Sequence, residues 1–543
     1  MTLRDSNLDK LGGQTFDVLV LGGGINGAVS AAALAGRGAS VALVDRGDFG
    51  GFTSQQSSNL AWGGIKYMEG YELGLVRKLC KSRNHLIRSY PSTVREIRFF
   101  AVHQRGFRHA LWKLVLGTFV YWMIGGFFTR RPRLLTRAAI AREEPIVDLS
   151  ASDGGVEYSD AYLHDNDARF VWNFVRRAID AGCAAASYVA SEGARREGDA
   201  WVVDARDVMT GRAITIRARV LVNACGPFVD EHNARSGERT RTHHVFSKGV
   251  HLIVPRLTKS DRVLTFFADD GRLFFAIPMG PRTCIGTTDT RVDSPAVRVT
   301  EEDRRFILSN INKRLTLPRP LTEADVIAER CGVRPLAVEG SAGTTDWMLL
   351  SRRHVIEVDR GRAHLSIFGG KLTDCLNVGE EVCAHARALG VALPRPKARW
   401  YGEPGPEVRD AFFREAERMG LDAMTSPSSS ERLSTRLYRR YGVEAMDLLG
   451  RIREDPRTAE VLIENAEYLR CEIELAAKRE MVVKLEDFLR RRSKIALVVR
   501  FDDLAGARGL MEACRILFGA QAEEKLAEYL RDHGGAEARA AVS

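Results

Sequence analysis

FDVLVLGGGINGAVSAAALAGRGASVALVD, residues 16–45, decides the fold. It opens on an apolar run, FDVLVL, of the kind that forms a parallel strand buried on both faces. Glycines follow at 22, 24 and 27, then a helix rich in small residues, then a second apolar run, SVALV, ending in Asp45. Each part has a physical task. Gly22 permits the sharp turn from strand to helix, Gly24 lets backbone approach a pyrophosphate, and Gly27 lets helix and strand pack closely. The helix start offers unpaired N–H groups and a positive dipole end to phosphates. Asp45 falls 18 residues after Gly27, where a carboxylate can accept both hydroxyls of a ribose. Asn26, within the same turn, joins the candidate cofactor contacts. A lone glycine triplet carries little, but here the complete strand–turn–helix–strand–acid unit surrounds it.

This unit alone does not separate FAD from NAD; the later sequence does. After the second strand comes RGDFGGFTSQQSS (46–58), a long loop in place of another crossover helix. It can wrap a cofactor that extends beyond its pyrophosphate, and Thr53, Ser57 and Ser58 supply hydroxyls. WVVDARDVMTGRAITIRARVLVNACGP (201–227) alternates like a β-meander around the turn TGRA. It ends in a strand whose small residues Ala224 and Gly226 let backbone lie against a ligand, and Val189 upstream is counted with them. HLSIFGGKLTD (364–374) is a strand, the Gly369-Gly370 turn and a helix start carrying Leu372 and Thr373. It aims a second helix N-terminus at a ligand, as a negatively charged reduced flavin requires. The strand running into small residues resembles that of FAD enzymes of the glutathione-reductase-like and amino-acid-oxidase-like type, and this likeness implies FAD in an α/β, glutathione-reductase-like domain.

At 543 residues the chain is too long for one core. Its excess of Lys and Arg, 80 against 70 Asp and Glu, is modest and fits an acidic small ligand or an anionic membrane surface. No nucleic-acid motif is present and no metal site is expected. Nine dispersed cysteines without a C-x-x-C pair read as reduced thiols in a cytosolic protein, and the polar N-terminus is no signal peptide. The most apolar stretch, LVLGTFVYWMIGGFF (114–128), is shorter than the roughly 20 residues of a spanning helix. It is flanked by Lys113, Arg130, Arg131 and Arg133, and two readings stay open: a buried helix, or a patch lying on an anionic bilayer. From about 400 the composition shifts to helix formers, with Leu469, Ile473 and Ala476 on one helical face. Ser430 looks like a helix N-terminus, RRRSK (490–494) like a solvated face or a further membrane contact, and the last ten residues like a frayed end.

Several stretches together resemble the FAD-dependent, quinone-linked glycerol-3-phosphate dehydrogenases: GGGINGA, SSNLAWGGIKYMEGYELGLV, YSDAYLHDNDAR, VNACGPFV, SKGVHLIVPR, FFAIPMGPRTCIGTTDT, GVRPL, FGGKLTD and KLEDFLRRRSKIAL. The likeness runs from about residue 16 to about 500. It implies a discontinuous FAD domain (14–95, 150–240, 355–390), an antiparallel-sheet substrate domain (96–149, 241–354) and a C-terminal helical domain (400–535). It also implies oxidation of glycerol 3-phosphate to dihydroxyacetone phosphate, electrons passed to membrane quinone, and a cytoplasmic protein attached to the inner membrane face; a homodimer stays open. Lys66, Arg334 and Lys371 would converge on the substrate, with Tyr67 and His251 nearby. The Gly63-Gly64 turn would bring backbone against the flavin ring. The family usually carries Arg where this chain has Lys66, and His where it has Trp62. The residues alone add that Arg334, between Val333 and Leu336, should be a buried cation wanting an anion. Lys371 sits at a helix start, where a cation implies either a ligand anion nearby or a solvent-facing side chain. Asp289, in IGTTDT (285–290), is either a turn residue or a substrate contact. Oxidation of another hydroxy or amino substrate, or a non-catalytic flavoprotein, remain alternatives.

Overall fold

The computed structural model describes residues 2–340, 353–426 and 429–534. The fingerprint folds as its spacing requires. Strand Thr15–Leu21 leads through the glycines into helix Ile25–Gly36, and Val41–Val44 follows as the second strand. Gly22 adopts φ +93°, and a Cβ there would lie 2.5 Å from the Ala224 carbonyl oxygen. A Cβ on Gly27 would fall 1.8 Å from the carbonyl oxygen of Gly22, so only glycine lets the helix begin there. Helix residues Asn26 to Ala35 are all buried. Their small side chains let helices Asp167–Asp180 and Cys375–Ala388 pack against this one.

Two sheets carry the molecule. In the first, strands His364–Gly369, Ala213–Asn223, Thr15–Leu21, Val41–Val44 and Ala184–Ala186 lie side by side and parallel, and His354–Asp359 closes one edge antiparallel. The expected meander is present: Ala200–Asp207 pairs with Ala213–Asn223 and with Val189–Glu197. The second sheet has ten strands among the described residues and is largely antiparallel. Its long central strand Thr242–Pro255 pairs with Ala328–Glu339 and Arg282–Gly286, and Val94–Gln104 pairs with Ser152–Leu163. The first sheet thus holds the fingerprint, and strands Thr242–Pro255 and Ala328–Glu339 of the second touch its strand His364–Gly369.

Beyond Pro406 the chain is helical. Leu469, Ile473 and Ala476 are buried as their period predicts. Two expectations need correction. The helix after the polar break starts at Leu433 with Arg432 at its N-cap, so Ser430 does not cap it. RRRSK is no solvated face: Arg490, Arg491, Arg492 and Ser493 are buried against the cofactor loop. Asp48 accepts hydrogen bonds from Arg491 and from both terminal nitrogens of Arg492, which offsets the burial of two of the three cations, while Arg490 donates to the Gln55 carbonyl. Residues 341–352 of the expected substrate domain, and 535–543 at the C-terminus, lie outside the described residues. All nine cysteines are unpaired.

Candidate active site

The turn after strand His364–Gly369 is the meeting point. Gly369 and Gly370 both have positive φ, +62° and +110°. Leu372–Asp374 forms one 3-10 turn, and helix Cys375–Ala388 follows. Three other segments reach this turn. Asn26 Nδ2, at the start of the fingerprint helix, donates to the Gly369 carbonyl at 3.0 Å. The Thr373 hydroxyl donates to the Trp62 carbonyl at 3.2 Å, tying in the Gly63-Gly64 turn. A Cβ on Gly369 would stand 3.6 Å from the Pro335 carbonyl oxygen, which brings the strand of Arg334 alongside.

Lys371 extends its ammonium over the ring of Tyr67, 4.1 Å from the centroid. Tyr67 and the exposed Lys66 share the 3-10 turn Ile65–Met68. The structure therefore gathers Lys371 and Tyr67, and sets Lys66 beside them along the chain.

On the second sheet, His251 lies opposite Arg330, and Ser247 opposite Arg334. The two-residue repeat of a strand puts all four on one face. Arg334 is half-buried rather than fully buried. It donates to Thr287 Oγ1 at 3.0 Å and pairs with Asp289 at 3.3 Å. Asp289 also accepts from Ser247, so it holds Arg334 in place. His251 is buried with no hydrogen-bond partner for Nδ1. Burial, followed by the charges of Arg334 and Arg330, lowers its pKa to about 3. The ring is neutral at physiological pH and can accept a proton.

The residues expected to hold the cofactor lie at the ends of the first sheet's strands and in the loops that follow them. Gly24 caps the fingerprint helix, and a Cβ there would meet only Ser54 Oγ at 3.2 Å. Ser54 Oγ accepts from the Ile25 N–H at 3.0 Å. Asp45 accepts from the N–H groups of Gly23 (2.6 Å) and Gly47 (2.8 Å), and burial raises its pKa. Each carboxylate oxygen keeps a second lone pair. Val189 donates its N–H to the Asp45 carbonyl at 2.7 Å and is buried. Ala224 and Gly226 end the neighbouring strand, Gly226 at φ +57°. Thr53 Oγ1 and Asn26 Oδ1 are buried without partners, one in the loop 46–58 and the other at the helix start. Orphaned polar atoms beside a cradle of glycines fit a bound dinucleotide.

Other expected contacts are occupied within the protein. Ser57 donates through N–H and hydroxyl to Asp167, at 2.9 and 2.8 Å. Gly63 donates its N–H to Asp160 at 2.9 Å, and a Cβ there would lie 2.1 Å from the Tyr121 hydroxyl. Gly63 is thus also demanded by the packing behind it. Gly64 has φ +84°, Ser58 follows Ser57 on the partly buried loop, and Leu372 is half-buried on the 3-10 turn. Three residues escaped the sequence reading: Ser54, Asp167 and Arg330, whose guanidinium donates to the Ser57 carbonyl and to Asn59 Oδ1. Arg330 had a signal, since it precedes Arg334 by four residues on one strand.

A parallel sheet with its glycine cradle is the architecture of a dinucleotide-binding oxidoreductase. The chain belongs to the FAD-dependent oxidoreductase family, whose model matches residues 17–358, within the group that contains the glycerol-3-phosphate dehydrogenases. A second model, the C-terminal domain of alpha-glycerophosphate oxidase, matches residues 408–525. Glycerol-3-phosphate dehydrogenase 2 of Mycobacterium tuberculosis is 31% identical over 531 residues, 96% of this chain and 88% of that protein. The aerobic glycerol-3-phosphate dehydrogenase of Escherichia coli is 30% identical, over 90% and 96% of the two chains. D-erythritol 1-phosphate dehydrogenase of Brucella abortus is also 30% identical, over 89% and 94%. Among solved structures, the FAD complex of a glycerol-3-phosphate dehydrogenase from Bacillus halodurans superimposes with a TM-score of 0.69. It covers 99% of this chain and 95% of its own, at 24% identity, and so attests the fold. The cofactor of this chain is FAD.

Proposed function

We propose that the chain oxidises glycerol 3-phosphate, or a close polyol phosphate, to the corresponding ketone and passes the electrons to membrane quinone. The observation that carries this reading is the cationic group at one turn: Lys371 over Tyr67, with the strand of Arg334 alongside. The names of the relatives, two acting on glycerol 3-phosphate and one on erythritol 1-phosphate, support a phosphorylated polyol.

FAD, when bound, supplies the acceptor for two electrons and one hydrogen. The chain does the rest. Lys371 and Arg334 hold the phosphate dianion, and Lys66 adds a point charge with less angular definition than an arginine fork. Arg334 meets the ligand preset by Asp289 and Thr287, so little side-chain freedom is lost on binding. His251 Nδ1 takes the hydroxyl proton as the carbon gives up its hydrogen, leaving a ketone. Its ring is neutral before the substrate arrives, and a phosphate dianion on Arg334 offsets one of the charges that hold its pKa down. N–H groups at the start of helix Cys375–Ala388 stabilise negative charge developing beside them. Glycines 22, 24 and 27, Asn26, Asp45 and Thr53 hold the dinucleotide, and Gly63, Gly64, Ser57 and Ser58 border its ring. We assign strand Ser152–Leu163 with the second sheet and otherwise keep the three-part division.

Anaerobic holoenzyme mixed with glycerol 3-phosphate, erythritol 1-phosphate, glycerol and an amino-acid panel tests this. Bleaching of the flavin absorbance by a polyol phosphate, and its return on adding a quinone far faster than on adding air, is the expected outcome. Bleaching by glycerol or an amino acid alone would overturn it.

A further inference from the structure

His354 is a buried, doubly held histidine on no path of the chemistry above. It opens strand His354–Asp359, where it pairs directly with Gly369. Its side chain is 3% exposed and crosses to the helix that follows the Gly369–Asp374 turn. Nδ1 lies 3.1 Å from Asp374 and Nε2 lies 2.8 Å from Glu381. Ionised carboxylates only accept hydrogen bonds, so a ring with an acceptor at each nitrogen needs a proton on both. Two carboxylates this close, one of them hydrogen-bonded to Nε2, favour the imidazolium.

The surroundings agree. Asp374 also accepts from Ser82 Oγ at 2.7 Å and Asn377 Nδ2 at 2.6 Å. Lys78 stands 3.5 Å from both Asp374 and Glu381. The charged groups at this knot are therefore Lys78 from helix Leu73–Ser89, Asp374 from the turn, Glu381 from helix Cys375–Ala388, and His354 itself. Two cations balance two anions. Both carboxylates have lowered pKa values, Asp374 against burial through hydrogen bonds from His354 and Ser82, and Glu381 chiefly through His354. Against the cost of burial, their hydrogen bonds and charges raise the His354 pKa to about 8. Asp374 in turn closes the site segment, since its N–H donates to the Lys371 carbonyl at 3.0 Å.

We propose that His354 is a positioning residue: it clamps the Gly369–Asp374 turn from outside the pocket and so fixes where Lys371 meets the substrate anion. The inference rests on the assignment of Lys371 to that anion. The folded-state value stands above the ordinary 6.5, so the clamp is intact at neutral pH and opens as pH rises through about 8. Loss of one ring proton leaves a lone pair facing a carboxylate, and Asp374 or Glu381 must turn away. Binding of the anion suffers first, so KM should rise before kcat falls.

The test measures kcat/KM from pH 6 to 10 in the FAD-loaded native protein, His354→Gln and His354→Lys. The visible spectrum of the substrate-free holoenzyme is followed over the same range. The native protein should lose kcat/KM with a midpoint near 8. His354→Gln, with no proton to lose, should start on the order of tenfold lower and stay flat to pH 9. His354→Lys should restore the neutral-pH value and carry the limb above pH 9. The native flavin spectrum should shift with the same midpoint, and that of His354→Gln should not. A limb near 8 that survives in either variant overturns the proposal, as does a native protein with neither limb nor spectral shift. Absence of turnover with every polyol phosphate would instead sink the substrate assignment, and the spectra would still decide the role of His354. If His354→Gln does not retain FAD, the limb of His354→Lys decides alone.

Discussion

At Lys371 two sources of positive charge meet. One is its own ammonium, kept over the Tyr67 ring at 4.1 Å; the other is the positive dipole end of the turn and helix that begin there. A cation there works against the helix dipole, and a substrate anion between them would remove that penalty. Lys371→Met keeps the stem and removes the charge. FAD should remain at full occupancy, because the glycines and Asn26 serve the cofactor through other atoms. We expect kcat/KM for the polyol phosphate to fall roughly 30- to 100-fold, the worth of one charge-assisted contact of about 2–3 kcal/mol. Steady-state kinetics on samples matched by flavin absorbance check this, and unchanged kinetics would remove Lys371 from the site. His251 shows the complementary use of charge. Burial and the charges of Arg334 and Arg330 keep the free ring neutral, and an anion bound to those arginines would offset their charge and strengthen the ring as a base.

The segment Asp487–Arg492 joins the C-terminal helices to the cofactor loop. Arg492 is fully buried, donates twice to Asp48 at 2.8 Å, donates to the Glu480 carbonyl at 2.9 Å, and lies 4.2 Å from the Trp172 ring centroid. Arg490 donates to the Gln55 carbonyl, and Asn166 Nδ2 donates to the Ser493 carbonyl at 2.6 Å. Arg492→Met should cost about 3 kcal/mol, the lower end for breaking a buried pair, because Arg491 still faces Asp48. FAD should also dissociate faster, since the loop carrying Thr53 and Ser57 loses one of its anchors. Thermal unfolding and flavin release measure the two effects, and a variant as stable as the native protein would remove the interlock. This element marks where the sequence stops being readable. The fingerprint and the Gly369-Gly370 turn were legible because glycine states a local backbone need: close approach at Gly27, positive φ at Gly369. A run of three arginines states no such need. Whether it faces water or a carboxylate depends on Asp48, more than 430 residues away in the chain. Gly63 is intermediate: its turn was readable, but the Tyr121 hydroxyl that forbids a side chain there comes from a distant helix.

On the scale of the whole molecule, one surface differs from the rest. No helix among the described residues is long and apolar enough to cross a membrane. Helix Leu111–Ile124, however, turns apolar side chains outward. Trp112 is 63% exposed, Leu116 56% and Met123 52%, and their spacing sets them along one face. Tyr121 and Thr118, on the other face, are buried. Phe127 and Leu134, beyond the helix, are also exposed, and Lys113, Arg130, Arg131 and Arg133 are exposed cations flanking the stretch in sequence. Of the two readings of this stretch, exposure favours the bilayer patch. The same helix reaches inward, where the Tyr121 hydroxyl donates to Asp160 at 2.8 Å, the carboxylate that holds the Gly63 N–H. A protein that delivers electrons to quinone would gain from lipid contact so near the flavin turn. Holoenzyme should therefore sediment with vesicles rich in anionic lipid and much less with zwitterionic ones. Replacing Trp112 and Leu116 together by Ser should weaken that binding at least tenfold, since burying each side chain is worth about 1.5–3 kcal/mol. Flavin content and turnover with a soluble acceptor should not change, because neither residue touches the site. Equal sedimentation of native and variant protein would place the membrane contact elsewhere, and no sedimentation of either would leave the patch for a protein partner.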